Sequence, residues 1–405
     1  MKKIKLVLPL LATLTYTPAH AIVVSLLDPE LNSQSIFASS YVTTGVGAQV
    51  YGSFLAGAGA TIGATSSVSG NFIAVTGATI GTSSSVGGNL LAGAGATLGS
   101  NSSVGGNFQA GAGGDLGANS TIGGNLFAGA AATLGVGAKV SGNLVSGAAT
   151  SLGVGASVLG TVQSSTAPTF TAMPTVASVG ALSTQVANAQ TGLFSMGSGT
   201  ALAATMAGAV TLNAGIYSAT ALTMAAGTAL TLDGQGLANQ LWVFNINDYL
   251  VTGASATVNL INGGVGSSII WNTGGYTNMG ASTEFIGTIF SGAYVTMGAN
   301  TKVTGPNTSC GGIFSANGHV VMGADAKVGS VGCSGASSAY WYAVDAAALS
   351  SSPTLLANAA AAPGAITPVP SPSQVPEPAT LALVLVSLAG MAVTSRRQRS
   401  PSPTV

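Results

Sequence analysis

The chain has 405 residues, of which nine are Lys or Arg and nine are Asp or Glu, so charged residues make up only 4% of it. Six of the nine cations lie near the two ends, at Lys2, Lys3, Lys5, Arg396, Arg397 and Arg399. The body between them is weakly charged and mildly acidic. Because a protein that binds nucleic acid needs a basic surface to neutralise phosphates, this composition excludes that class.

The N-terminus has the three parts of an export signal. A basic MKKIK precedes the apolar stretch LVLPLLATL, and Ala19, His20 and Ala21 form a small-x-small cleavage site. We predict that residues 1–21 are a signal peptide, removed by signal peptidase, and that the mature chain begins at Ile22. The alternative is an ordinary buried helix.

Residues 22–162 contain a repeat with a period of eighteen residues. Its most regular feature is a branched residue, found at Val50, Val68, Val86, Val104, Ile122, Val140 and Val158. In an amphipathic helix the apolar residues would recur about every 3.6 residues, and each glycine would destabilise the helix by about 1 kcal/mol relative to alanine. The repeat instead has short strand patterns separated by Gly-rich corners, and its length is constant, which predicts an all-β fold. We expect a triangular β-solenoid, or β-helix, with one eighteen-residue coil per turn.

Two columns of polar residues run through this array. The first is a series of asparagines that we expect to stack as a structural ladder, at Asn71, Asn89, Asn107, Asn125 and Asn143. The second precedes each inward Ile or Leu and should therefore point outward, at Thr61, Thr79, Thr97, Asp115, Thr133 and Ser151. Stacking would make it a file of hydroxyls about 4.7 to 4.9 Å apart. It is either a functional surface or a set of threonines favoured in exposed strands.

A helix interrupts the strand pattern in the middle of the chain. After Pro168 and Pro174, apolar residues at helical spacing predict a helix over about 178–196, with Ser178 as a candidate N-cap. Strand patterns then return, and Met279 and Met297 show the eighteen-residue period again. A third copy of this methionine pattern, at Met322, is displaced from the period by a seven-residue insertion in the stretch that contains Cys310.

The two cysteines, Cys310 and Cys333, are predicted to form a disulfide worth about 3 kcal/mol, because an exported chain meets oxidising conditions. The alternative is two buried free thiols. His319 is the single histidine of the mature body, so we expect no metal site and no cofactor.

The second half of the chain resembles a known family. The stretches GAVTLNAGIYSATALTMAAGTALTLDGQGLANQLWVFNI and NLINGGVGSSIIWNTGGYTNMGASTEFIGTIFSGAYVTMGANTKVTG follow the motif order of the DUF3494 ice-binding family, over residues 159–330. The resemblance implies a right-handed β-helix with one long α-helix packed alongside, and ice binding through a flat, regular face. We expect this domain at 163–335. Whether the array stacks on it as one rod or forms a separate rod stays open.

The same resemblance leads to candidate ice-contacting residues. The family motif Thr-Ala/Gly-x-Thr/Asn is matched from Thr76 to Thr79. Together with the outward column of the array and threonines of the family-like half, the predicted site comprises Thr61, Thr76, Thr79, Thr97, Thr133, Thr277, Thr283, Thr296 and Thr301.

The C-terminus is predicted to be a linker and a sorting signal. Residues 336–374 are rich in Pro, Ser and Ala and are expected to be a tether. Residues 375–400 combine Pro376, Glu377 and Pro378 with an apolar run and the cluster Arg396 and Arg397. This order resembles the PEP-CTERM signal, which implies a C-terminal transmembrane sorting helix, processing by an exosortase, and exopolysaccharide as a candidate partner. It also implies the cell surface, outer membrane or extracellular matrix of a Gram-negative bacterium. A simple tail anchor is the alternative.

An enzyme is not expected. Polysaccharide-cleaving β-solenoids need clustered carboxylates, whereas the acids here are scattered, and Glu284 with Lys302 is more simply a cross-coil ion pair. The sequence favours a secreted or surface-anchored ice-binding protein. The alternative is a non-catalytic structural or adhesive protein of the exopolysaccharide or biofilm matrix.

Overall fold

The computed structural model describes residues 22–170, 173, 175–307, 309–335 and 340–343. Three long parallel sheets of 14, 13 and 13 strands enclose one narrow apolar core. The predicted β-solenoid is therefore confirmed, and each eighteen-residue repeat of the array contributes one strand to each sheet. The predicted signal peptide, sorting helix and most of the linker lie outside the described residues.

The first sheet, which we call the helix sheet, has 14 strands. From the array end of the rod its strands are Val162–Gln163, Leu144–Ser146, Leu126–Ala128, Phe108–Ala110, Leu90–Ala92, Phe72–Ala74, Ser53–Ala56, Gln34–Ala38, Gly312–Ser315, Thr288–Ser291, Ser268–Thr273, Leu241–Ile246, Gly215–Ala219 and Thr200–Ala201.

The second, the threonine sheet, has 13 strands. In the same direction they are Thr150–Leu152, Ala132–Leu134, Gly114–Leu116, Ala96–Leu98, Ala78–Ile80, Ala60–Ile62, Val42–Thr44, Val320–Met322, Val295–Met297, Thr277–Met279, Leu250–Thr252, Leu222–Met224 and Thr205–Met206.

The third, the charged sheet, also has 13 strands. They are Ser157–Val158, Lys139–Val140, Thr121–Ile122, Ser103–Val104, Ser85–Val86, Ser67–Val68, Gln49–Val50, Lys327–Val328, Lys302–Thr304, Glu284–Ile286, Thr257–Ile261, Ala229–Asp233 and Ala209–Asn213. Separately, Ile22–Ser25 pairs antiparallel with Tyr340–Ala343.

The coils do not stack in chain order. The first coil of the array, residues 34–50, pairs in all three sheets with the last coil of the second half, residues 312–328. The array and the second half therefore form one continuous rod, which answers the question that the sequence left open. Residues 163 and 200 lie at opposite ends of this rod, so the segment between them returns along its length.

The alternation of buried and exposed residues follows from the short strands. Along the array, the recurring valine, alanine and leucine positions point inward, and Val86, Ala92 and Leu98 are almost completely buried. Their neighbours in the coils above and below are the equivalent residues eighteen positions away. Burying like residues in parallel register gives a core that is continuous along the rod.

The asparagine column stabilises the corner between the charged and helix sheets. The Asn89 backbone N–H donates to Asn71 Oδ1 at 2.8 Å, and the same bond recurs between Asn107 and Asn89 and onward to Thr161. Gly88 precedes Asn89, and a Cβ at Gly88 would collide with Asn71 Oδ1. The Gly-Asn pair is thus needed for close stacking at this corner.

The long helix covers part of the helix sheet. Helix α1 is a single turn at Pro29–Asn32, and helix α2 spans Val176–Phe194, close to the predicted 178–196. Its N-cap is Thr175, and Ser178 completes a capping box at N3 rather than capping the helix itself. The apolar face of α2 is buried against the sheet, with Val179, Leu182, Val186, Ala189 and Leu193 at its centre.

The disulfide and both ends of the described body lie near the stacking junction. Cys310 and Cys333 are bonded, with Cα atoms 5.7 Å apart, and flank the coil formed by residues 312–328. Ile22 and Ala343 are direct strand partners, so the chain enters and leaves the body at one place.

Candidate functional site

The middle residues of the threonine sheet form one outward-facing column, which we call the threonine file. Each strand contributes one residue, and the pairing registers place these residues directly opposite one another along all 13 strands. In order along the rod they are Ser151, Thr133, Asp115, Thr97, Thr79, Thr61, Thr43, Val321, Thr296, Asn278, Val251, Thr223 and Thr205. Neighbouring strands lie about 4.7 to 4.9 Å apart, so the file is a regular ladder.

The structure places most of the predicted array residues on this surface. Thr61, Thr79, Thr97 and Thr133 are exposed members of the file. Thr76 is also exposed, beside the file at the edge of the same sheet. In the second half, Thr296 is a half-buried member of the file.

Three predicted residues do not reach this surface. Thr277, Thr283 and Thr301 are completely buried, so the structure removes them from the candidate set. Thr277 occupies the inward position beside Asn278. The Thr283 and Thr301 hydroxyls donate to the Gly280 carbonyl at 2.7 and 2.9 Å. They stabilise the corner between two sheets, because the buried backbone there needs hydrogen-bond donors.

A second column lies two residues before the threonine file and changes character along the rod. In the second half it carries stacked rings: Tyr249, Tyr276, Tyr294 and His319, continued by Tyr41 in the first array coil. The ring centroids are 5.4, 5.1, 5.1 and 4.6 Å apart in that order. We call this set the aromatic ladder.

Within the array the same column consists of glycines. Gly59, Gly77, Gly95 and Gly113 leave a shallow trough of about 750 Å³ beside the threonine file. Tyr41 closes the trough at one end, and Asp115 lies at the other. The threonine file is thus bordered by rings from Val251 to Thr43, across the junction of the two halves, and by open space along part of the array.

Charges are distributed unevenly between the faces. Asp115 is the single charged member of the threonine file, whereas strands of the charged sheet carry Lys139, Lys327, Lys302 and Glu284. Lys302 Nζ and Glu284 Oε1 form an exposed ion pair at 2.6 Å, as the sequence suggested.

In the aromatic ladder, partial removal from water raises the pKa of the Tyr276 hydroxyl, and its neighbours Tyr294, Tyr249 and Asp248 raise it further.

Sequence reasoning missed part of this surface. Thr43 lies eighteen residues before Thr61, so extending the period by one more coil would have found it. Thr205 and Thr223 are also eighteen apart, but their link to the array depends on the stacking of coils that are remote in sequence. His319, the single histidine of the predicted mature body, is a member of the aromatic ladder.

Within the described part of the chain, no three His, Cys, Asp or Glu residues are grouped so that they could hold a metal ion. Among the same residues, no helix is both long and apolar enough to cross a membrane.

Comparison with known proteins tests the resemblance to the ice-binding family. Residues 148–328 match the family model described as ice-binding-like. The resemblance to the ice-binding family is confirmed. This family is not known as catalytic, which supports a non-enzymatic protein.

Two curated relatives of the ice-binding family match shorter segments. Ice-binding protein 1 of Shewanella frigidimarina (strain NCIMB 400) is 38% identical over 77 residues, and the ice-binding protein of Nostoc sp. (strain HG1) is 32% identical over 93 residues. These segments cover 19% and 23% of this chain. The matches span only 9% and 32% of the length of the two relatives.

Solved structures of ice-binding proteins are also similar to this chain. The DUF3494 domain of Shewanella frigidimarina ice-binding protein 1 is 17% identical, with 76% of this chain and all of that domain covered and a TM-score of 0.41. An ice-binding protein from the Antarctic ascomycete Antarctomyces psychrotrophicus is 15% identical, with coverages of 75% and 97% and a TM-score of 0.37.

Proposed function

We propose that this protein binds ice through the outer surface of the threonine sheet. The observation that carries the proposal is the continuity of the threonine file, which keeps one register over 13 strands and across both halves of the chain. Nine of its members carry a hydroxyl: Ser151, Thr133, Thr97, Thr79, Thr61, Thr43, Thr296, Thr223 and Thr205. The family match and the ice-binding relatives support this choice of ligand.

The physical basis is the ordering of water before contact with the crystal. A threonine presents both a methyl and a hydroxyl group, so a regular file can hold water by hydrogen bonds while its methyl groups restrict that water. Each strand of the threonine sheet is fixed by two neighbours and a packed core, except at the ends of the rod. A rigid surface loses little conformational entropy on binding. The scarcity of charge on this face favours ordered water over strongly hydrated ions.

The position of the two ends of the described body fits presentation at a surface. Ile22 and Ala343 pair side by side, and the adjacent Leu26 and Leu27 pack in one cluster with Val179 and Leu182 of α2. The body is therefore entered and left on the helix side, and the threonine sheet is a different face of the rod. We extend the proposal to an exported protein, held at the cell surface or released, whose threonine face remains free for ice.

The test compares two outward faces of the same two coils in the full chain. In one variant, Thr79→Tyr and Thr97→Tyr place bulky rings on the threonine file. In the control, Ser85→Tyr and Ser103→Tyr place the same rings on the charged sheet, where both serines point outward from a two-residue strand. Thermal hysteresis and ice recrystallisation inhibition are measured, with far-UV circular dichroism to verify folding.

We expect the first variant to lose ice shaping while the control keeps it, because a protruding ring separates the file from a flat crystal face. If both variants retain activity, the threonine file is not the contact surface. If the folded wild-type chain leaves ice crystals unshaped, ice binding itself is excluded.

A further inference from the structure

The two ends of the rod differ from each other. The end formed by the last array coil, which we call the array end, exposes strand edges and apolar side chains. The last array coil contributes Thr150–Leu152, Ser157–Val158 and Val162–Gln163, each of which is the terminal strand of its sheet. These strands have a hydrogen-bonded neighbour on one side only. An exposed strand edge offers backbone groups to another chain.

Apolar side chains are concentrated at this end. Leu152, Val154, Leu159 and Val162 are 49%, 83%, 79% and 45% exposed. At the opposite end, Met206 is buried, and Leu202, Val210 and Leu212 are half-buried. Apolar groups gain free energy when removed from water, so the array end has the stronger tendency to associate.

The array end also lacks the devices that normally protect a strand edge. Residues 140–170 contain no Asp, Glu, Lys or Arg, and the first proline after the last coil is Pro168. Charges and prolines on an edge strand prevent association between sheets. The terminal strands therefore carry no charge of their own, and the nearest charged residue of the array is Lys139, in the strand that pairs with Ser157–Val158.

Stacking of coils that are not consecutive in the chain already occurs inside this rod. Residues 34–50 and 312–328 form parallel strand pairs in all three sheets although the chain does not connect them directly. A coil of this cross-section can therefore accept an unconnected coil as its neighbour.

We infer that two copies of the protein associate through their array ends, related by a two-fold axis. This arrangement places equal cross-sections and equally apolar surfaces against each other, with the terminal strands antiparallel across the interface. A head-to-tail arrangement would instead set the two-residue strand Ser157–Val158 against the five-residue strand Ala209–Asn213. It would also form an open filament, whereas the two-fold pair is closed.

Sedimentation velocity of the full chain tests this dimer. The test variant carries Leu152→Lys and Val162→Lys. Their partners one coil back, Leu134 and Leu144, are buried, so residues 152 and 162 face the open end of the rod and the substitutions place two like charges at the proposed interface. The matched control carries Val265→Lys and Val331→Lys, at residues 87% and 86% exposed elsewhere on the body. The two test positions are about half exposed and the two control positions are largely exposed, and circular dichroism verifies that both variants fold.

We expect wild type and control to sediment with twice the mass of one chain, and the test variant with the mass of one chain at the same micromolar concentration. A monomeric wild type, or a test variant that remains dimeric, would overturn the inference. A ladder of species beyond the dimer that the test variant abolishes would replace it with head-to-tail assembly. None of these outcomes depends on whether the protein binds ice.

Discussion

Tyr41 and His319 are far apart in the chain, yet their rings stack with centroids 4.6 Å apart and planes within 5°. Tyr41 belongs to the first coil of the array, and His319 belongs to the last coil of the second half. Their contact lies beside the strand pairing of Val42 with Val320. The aromatic ladder therefore bridges the junction at which the two halves become one rod.

The stacking contact should stabilise the junction. We expect Tyr41→Ala to lower the free energy of unfolding by about 0.5 to 1.5 kcal/mol through the lost ring contact, in addition to any loss of buried area. Tyr41→Phe keeps the ring and should remain close to wild type. Urea denaturation of Tyr41→Ala, His319→Ala and the double variant isolates the coupling between the rings. Additive effects of the two single substitutions would show that the contact contributes nothing.

Asp115 is the charged interruption of the threonine file. Replacing it with threonine should strengthen ice recrystallisation inhibition, because the hydroxyl ladder would then run from Ser151 to Thr43 without a charge. Asp115 is exposed, so stability should change by no more than about 0.5 kcal/mol. Asp115→Lys keeps a charge at the same place and serves as the control, with no gain expected. Equal activity of both variants would mean that this position does not contact ice.

Substitution of a completely buried threonine and of a threonine of the file should have opposite effects on stability and on ice shaping in the second half of the chain. Thr283→Val removes a buried hydroxyl that bonds the Gly280 carbonyl and lies 3.1 Å from Thr252 Oγ1, so we expect a loss of about 1 kcal/mol with ice shaping intact. Thr296→Val changes a member of the threonine file and should weaken ice shaping with little change in stability. Thermal unfolding and ice recrystallisation assays on both variants make the comparison. Loss of ice shaping in a folded Thr283→Val protein would contradict the burial argument.

The disulfide should stabilise the coil at the junction. Removing it with Cys310→Ala and Cys333→Ala should lower the free energy of unfolding by about 3 kcal/mol, because the bond closes a loop between residues 23 positions apart. The change is measured by urea denaturation, with chemically reduced wild type as the control. Ice shaping should persist while the variant is folded, since neither cysteine belongs to the threonine file. An unchanged denaturation midpoint would show that the fold does not depend on this crosslink.

Much of the array could be predicted because its constraints are local. Val68, Val86 and Val104 recur at the length of one coil, so each coil meets an identical neighbour and the register follows from the period alone. The outward position of Thr79 follows from the alternation of side chains beside the buried Ile80. The second half is less regular, and there the resemblance to the family led to Thr277, which lies one position away from the outward Asn278 and is buried.

The sequence by itself determined the all-β coil, its period, its inward residues and the resemblance to the ice-binding family, because these depend on neighbours along the chain or on motif order. The tertiary structure decided which coils stack on each other. Tyr41 meets His319 only because the first array coil pairs with residues 312–328. That pairing joins segments separated by most of the chain, and no local spacing encodes it. The continuous threonine file is a product of this long-range contact, since it unites two half-length columns into one face.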